Sequence, residues 1–159
     1  VVVPVGTDQD PHIRLARDIL SRYKEESLIQ LSSTYHTFIP GLGSGKMSSS
    51  DPNSFIALTD DPKEIEKKIK KYAFSGGRDT VEEHRKLGGN PEVDVSYQYM
   101  RLFEEDDKKL KSIYDDYKNG KLLSGELKKI LIDTLTVFMT EHQKRRAKAN
   151  VEKFLDNDK

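Results

Sequence analysis

The chain has 159 residues, and its 27 Lys+Arg against 27 Asp+Glu give a formal net charge of zero, which excludes a broad, unspecific nucleic-acid surface while leaving room for a local basic patch. There is no cysteine, so disulfides and thiolate metal sites are excluded, and the four histidines, His12, His36, His84 and His142, lack metal-ligand spacing. With no apolar run long enough to cross a membrane and no leader, the composition fits a soluble, cytoplasmic protein without a membrane partner.

At 34% charged and 35% hydrophobic residues the chain can bury a core, much of it from amphipathic helices with wide solvated faces. It opens on Val1-Val2-Val3-Pro4-Val5, a β-branched run without an initiator Met that predicts a buried strand. Such a strand needs neighbours, which are expected upstream in a longer protein or on another chain. Gly6-Thr7-Asp8-Gln9 then forms a turn, and Asp10-Pro11 supplies an N-cap and a first-turn proline for a helix. Ile13, Ala16, Ile19 and Leu20 make its apolar face; Arg14, Arg17 and Asp18 take the other. A strand, turn and helix of this kind place Asp8 and Gln9 where an α/β sheet presents its site. Plain turn chemistry, with an Asx-type hydrogen bond, accounts for the same residues. Residues 28–31, Leu-Ile-Gln-Leu, are a second strand candidate, and residues 34–39 are an extended approach to Pro40.

Residues 41–52, GLGSGKMSSSDP, hold three glycines, one lysine and a run of serines with almost no apolar side chain. The stretch is therefore expected to be a mobile surface loop. Lys46 offers a compact cation, Ser48, Ser49 and Ser50 offer hydroxyls, and the glycines let backbone N–H groups approach an anion. The composition suits phosphate. It is not a Walker A loop, because the gap between Gly41 and Gly45 is too short and Met47 follows Lys46 where Ser or Thr is required. Nor is it a dinucleotide fingerprint, since no third glycine follows Gly41 and Gly43 at the needed offset.

From residue 59 the texture becomes charged and helical, which sets a domain boundary between residues 58 and 59. Thr59-Asp60-Asp61-Pro62 opens a helix with an apolar stripe of Ile65, Ile69 and Tyr72. Its lysines, Lys63, Lys67, Lys68, Lys70 and Lys71, read as a solvated face or as RNA-backbone contacts. Residues 73–92 hold two Gly-Gly pairs around a short helix, for which Thr80 and Glu83 make a capping box. Asp106 or Asp107 caps the next helix, carrying Leu110, Ile113, Tyr114 and Tyr117 and ended by Gly120. A long helix follows from about Gly125, with Leu127, Ile130, Leu131, Leu135, Phe138 and His142 at core spacing and Lys144-Arg145-Arg146 near its end.

Several of these segments carry a family resemblance. Lys46-Met47-Ser48-Ser49-Ser50 resembles the KMSKS signature of class I aminoacyl-tRNA synthetases, with Ser in place of the second lysine. Together with Pro4-x-Gly6-x-Asp8-Gln9-Asp10-Pro11, the block AFSGGRDTVEEHR, LGGNPEVDVS, LLSGELKK and EHQKRRA, it is similar to tryptophanyl-tRNA synthetases of the archaeal and eukaryotic type. The FSGGRDT block separates that family from the tyrosyl enzymes, which share the Lys-Met-Ser-Ser-Ser loop. The resemblance implies an α/β fragment, the C-terminal strands of a Rossmann-type catalytic domain, over residues 1–58, and an all-α anticodon-binding domain over 59–159. The HIGH motif of the family is absent, so the chain is expected to be an inactive C-terminal fragment of a tryptophan–tRNA ligase. That enzyme makes tryptophanyl-adenylate from L-tryptophan and ATP with Mg2+ and passes the acyl group to tRNA(Trp), as a homodimer. By motif position Gly6, Asp8 and Gln9 would hold the amino acid. Lys46 would be catalytic on the triphosphate, Met47, Ser48, Ser49 and Ser50 would order the loop around ATP, and Arg78 and Asp79 would meet the anticodon. The alternatives are a tyrosyl-tRNA synthetase fragment and a noncatalytic RNA-binding or dimerisation module. Asp79 has a second reading as a helix cap, and Lys144, Arg145 and Arg146 a second reading as a solvated helix end.

Overall fold

The computed structural model describes residues 2–23 and 29–150 of the chain. Packing divides it into two compact units, Val1–Ile39 and Pro40–Lys159. The sequence set its boundary at 58/59, where charge density rises; packing breaks earlier, because the loop before residue 59 is held by the helices that follow it.

In the first unit, strand β1 (Val2–Gly6) lies parallel to β2 (Ser32–His36), in register from Val2 opposite Ser32 to Gly6 opposite His36. One neighbour of β1 is therefore downstream in the same chain. The strand is less buried than its composition implies, with Val2 63% exposed. β2 begins after the predicted segment 28–31: Leu28 is outside the described residues and Ile29 is exposed. Hydropathy pointed to the Leu-Ile-Gln-Leu run, whereas the pairing is made by Ser32-Ser33-Thr34-Tyr35-His36, where Thr and Tyr bring β propensity without greasiness.

Between the strands, one turn of 3-10 helix (Thr7–Gln9) leads into α1 (Asp10–Arg22), which has Pro11 in its first turn as expected. Asp10 is not the cap. Gln9 takes that position without a side-chain bond, and Asp10 instead pairs with Arg14 at 2.7 Å one turn on. Arg17, expected on the solvated face, reaches back to the strand: its Nε donates to Leu31 O at 2.8 Å and its Nη2 to Ser33 Oγ at 2.9 Å. The guanidinium fork thus fastens the helix to β2, while Ile13 is the buried apolar side chain of α1 and Ile19 stays exposed.

The second unit is helical: α2 (Pro62–Tyr72), α3 (Val81–Leu87), α4 (Val95–Phe103), α5 (Asp107–Lys118) and α6 (Ser124–Lys148). Its predicted caps are present. Asp61 accepts from Glu64 N at 2.8 Å, Thr80 from Glu83 N at 3.1 Å, and Asp106 from Lys108 N at 2.9 Å. At the start of α6 only the reverse half of a capping box exists, because Leu123 has no side-chain acceptor; the Glu126 carboxylate accepts from Leu123 N at 2.7 Å.

Helix α4 was not predicted, although it is the most enclosed. Val95, Ser96, Tyr97, Tyr99 and Met100 are all buried on it. It joins Ile65 and Ile69 of α2, Ile113 and Tyr117 of α5, and Leu127, Leu131, Ile132, Leu135 and Met139 of α6 in one core. Phe138, expected in that core, is instead half-exposed and meets Phe103 edge-on at 5.1 Å between ring centroids. The core stripe of α6 drifts to Met139 one position later, a consequence of 3.6-residue periodicity over so long a helix.

Candidate functional site

The loop that carries Lys46 is anchored more firmly than its composition suggests. Leu42, counted in the sequence as an incidental apolar residue, is 0% exposed and belongs to the core. Its N donates to Ser54 O at 2.8 Å and its carbonyl accepts from Phe74 N at 2.7 Å, so residues 42 and 54 form one neck against the helical body. Met47 packs against the same core. Ser54 closes the loop from inside: its Oγ accepts from Ser48 N at 3.0 Å and lies 2.7 Å from Asp51 O as donor. Ser48 and Ser50 share a hydroxyl contact at 2.8 Å. Ser44 adopts φ 67°, the left-handed region, to turn the chain between Gly41 and Gly45. The expectation of a loop with nothing to bury is thus corrected by one buried anchor, Leu42, and one partly buried one, Met47.

What the anchors leave outside is the charge. Lys46, Ser48, Ser49 and Ser50 are exposed. Lys46 lines an open cleft of about 320 Å³ with Gly41, Gly43, Gly45, Asp51, Asn53, Ser54 and Tyr72. Among the described residues it has no hydrogen-bond or ion-pair partner. A free ammonium beside backbone N–H groups and hydroxyls can receive a polyphosphate.

A second cleft, of about 360 Å³, is bounded by Arg78, Asp79, Thr80 and Val81 on one side and by Leu123, Ser124, Gly125 and Glu126 on the other, with His84 between. Asp79 is exposed, and Thr80, not Asp79, caps α3. Arg78 is steadied by donation from its Nε to Gly88 O at 3.1 Å.

Beneath this rim lies a polar network that the sequence did not reveal. Asp94, 1% exposed, accepts from Gly76 N (2.8 Å), Ser96 N (2.9 Å), Tyr97 N (3.3 Å) and the Tyr117 hydroxyl (2.7 Å). The Tyr117 hydroxyl also meets Ser124 Oγ at 3.0 Å, and burial pushes its pKa upward. His84, 3% exposed, donates from Nε2 to Leu122 O at 2.9 Å and stands edge-on to Tyr117. The one legible signal was Asp94 ahead of Val95, Tyr99 and Met100, a cap before helical spacing.

In the first unit, Gly6 ends β1 and Asp8 and Gln9 lie exposed on the turn that follows, at the carboxyl end of a parallel strand. Of the α2 lysines, Lys67 and Lys70 form exposed pairs with Glu64 and Glu66, while Lys68, expected on the solvated face, is buried against Asp60 at 2.7 Å. Arg145 pairs with Glu141 at 2.8 Å on an exposed turn of α6. Among the described residues there is no group of three or more His, Cys, Asp or Glu able to hold a metal, and no helix is long and apolar enough to cross a membrane.

A model of the family described as tRNA synthetases class I (W and Y) matches residues 1–140. Over 151 residues the chain is 52% identical to a tryptophan–tRNA ligase of Saccharolobus solfataricus, covering 93% of the chain and 39% of that protein. It is 52% identical over 145 residues to the cytoplasmic tryptophan–tRNA ligase of mouse, covering 91% of the chain and 30% of that protein. A crystal structure of tryptophanyl-tRNA synthetase from Aeropyrum pernix superposes with a TM-score of 0.86 at 48% identity, covering 93% of the chain and 41% of the other. These relatives are named for tryptophan, so the tyrosyl alternative is not favoured. The chain spans two fifths or less of the length of the curated relatives just described. On the match over residues 1–140, the chain belongs to the class I tRNA synthetases of the tryptophan and tyrosine group.

Proposed function

We propose that the protein containing this chain is a tryptophan–tRNA ligase, which activates L-tryptophan with ATP and transfers it to tRNA(Trp). The observation that carries the reading is the exposed, unpartnered Lys46 on a loop whose base is fixed in the core at Leu42. In adenylation the tryptophan carboxylate attacks the α-phosphorus of ATP, the bond to the bridging oxygen breaks, and negative charge builds on the departing pyrophosphate. Lys46 meets that charge, and Ser48, Ser49 and Ser50, with the N–H groups nearby, hold the loop on the phosphates. Met47 ties the loop to the core. Mg2+ enters with ATP as part of the substrate, and no residue here is assigned to it.

Gly6, Asp8 and Gln9 contribute to the amino-acid pocket from the carboxyl end of β1, the position at which parallel sheets build such sites. Residues 1–58 then belong to a Rossmann-type catalytic domain and residues 59–159 to an anticodon-binding domain, where Arg78 and Asp79 face the RNA. The full-length protein acts as a homodimer in the cytoplasm.

The test is Lys46→Ala in the full-length protein. The expected result is a fall in adenylate formation of about a hundredfold, roughly 3 kcal/mol, with tryptophan affinity little changed. Equal losses in rate and affinity would place Lys46 in ground-state binding instead.

A further inference from the structure

The loop that bears Lys46 closes at the neck of Leu42 and Ser54, and the segment that leaves this neck is tied down a second time at residues 57–60, its second foot. Asp60 Oδ2 accepts from Ala57 N at 2.9 Å and from Lys68 Nζ at 2.7 Å, and the two side chains are only 13% and 7% exposed. Lys68 also lies 5.5 Å from the centre of the Phe55 ring. From α6, the Gln143 amide donates to two carbonyls of the same foot, Leu58 O at 3.1 Å and Asp60 O at 2.9 Å. A buried ion pair is at best a weak stabiliser, because desolvating both charges offsets their attraction. What it does supply is a fixed geometry, and here that geometry belongs to the end of a glycine- and serine-rich loop.

We propose that Lys68 and Gln143 are positioning residues for Lys46: by locking residues 57–60 to α2 and α6, they set where the loop presents its ammonium. Neither lines the cleft around Lys46, so they act through the loop and not on the nucleotide. The inference rests on the assignment of Lys46 to the triphosphate. A cation that must meet charge as it develops has to be held to within a fraction of an ångström, and a displacement of about 1 Å costs on the order of a hundredfold in rate.

The test uses the full-length protein with Gln143→Ala, Lys68→Met and Lys68→Arg, each alone and combined with Lys46→Ala. Adenylate formation is measured in single turnovers at saturating tryptophan and ATP, beside tryptophan affinity and thermal midpoint. Gln143→Ala removes two hydrogen bonds and no core volume. It should slow adenylate formation roughly tenfold with tryptophan affinity and melting nearly unchanged. Lys68→Arg should retain more of the rate than Lys68→Met. In the Lys46→Ala background Gln143→Ala should cost nothing further, since the group it positions is gone. An unchanged rate for Gln143→Ala beside a defective Lys46→Ala would overturn the positioning role alone, as would a loss that is fully additive with Lys46→Ala. A normal rate for Lys46→Ala itself would overturn both this role and the assignment of Lys46.

Discussion

Asp79 and Thr80 adjoin in the sequence, and either could start a helix; the structure separates their jobs. Thr80 accepts from Glu83 N, whereas Asp79 stays exposed on the rim of its cleft. Thr80→Ala should therefore lower stability by about 1 kcal/mol in urea melts. Asp79→Asn should leave the melt unchanged. If the carboxylate accepts from the N4 amino group of an unstacked cytosine, charging of tRNA(Trp) by that variant falls by the equivalent of roughly 1–3 kcal/mol while adenylate formation holds. Unaltered charging kinetics would return Asp79 to ordinary surface. Tyr99 carries a different residue-scale consequence. Its hydroxyl donates to Pro40 O at 2.9 Å, and burial pushes its pKa from the ordinary 10.0 to about 12. The folded state holds this proton more tightly than the unfolded chain, so the associated stability is complete below pH about 10 and is lost as pH rises toward about 12. Tyr99→Phe should flatten that part of the alkaline decline in denaturant midpoint, and parallel profiles for the two proteins would count against a buried phenol.

At the scale of elements, the joints between helices carry more constraint than the helices do. Gly88 ends α3 at φ 71° and Gly120 follows α5 at φ 74°. A Cβ at Gly88 would run into Lys118 O, and one at Gly120 into His84 O. Arg85 Nη1 donates to Gly120 O and Lys121 O, so the two joints are stitched to each other. Gly120→Ala should cost more than the about 1–2 kcal/mol of the left-handed conformation alone, because the collision is with backbone. A urea midpoint equal to that of the unaltered protein would contradict this. Asp94 joins α4, α5 and the segment leading to Arg78. Asp94→Ala would leave Gly76 N, Ser96 N and Tyr97 N without their acceptor, while the Tyr117 hydroxyl keeps Ser124 Oγ, and should destabilise by about 3 kcal/mol or more. Asp94→Asn should recover part of the loss, since the amide keeps one acceptor while its NH2 faces donors.

For the molecule as a whole, the two units differ in how much they bury. All but one of the buried apolar side chains lie in Pro40–Lys159, and Ile13 is the exception among the described residues. Amides of α4 and of the buried stretch of α6 should therefore exchange with solvent far more slowly than those of β1, β2 and α1 when the 159-residue chain is measured. Equal protection across both units would show a core in the first that its burial does not reveal. α6 also runs from the cleft beside Asp79, at Ser124, to the foot of the Lys46 loop, at Gln143. Because relatives such as the archaeal ligase are more than twice as long as this chain, the chain alone is expected to show no tryptophan-dependent exchange of pyrophosphate into ATP.

The sequence by itself determined what local chemistry determines. Asp61, Thr80 and Asp106 cap their helices because a short acceptor satisfies N–H groups two or three residues away, and Lys46, Ser48, Ser49 and Ser50 stayed exposed because their polar side chains gain nothing from burial. Legibility ended where partners are distant in the chain. Lys68 looked like one more solvated lysine until Asp60 and Phe55 enclosed it. Arg17 looked exposed until β2 came alongside, and α4 went unseen because its residues are apolar on more than one face, as burial from several sides allows. Gln143, 83 residues from Asp60, gives no sign in the sequence of the carbonyl it holds. Those contacts bring together residues that no local periodicity relates, so only the tertiary structure could decide them.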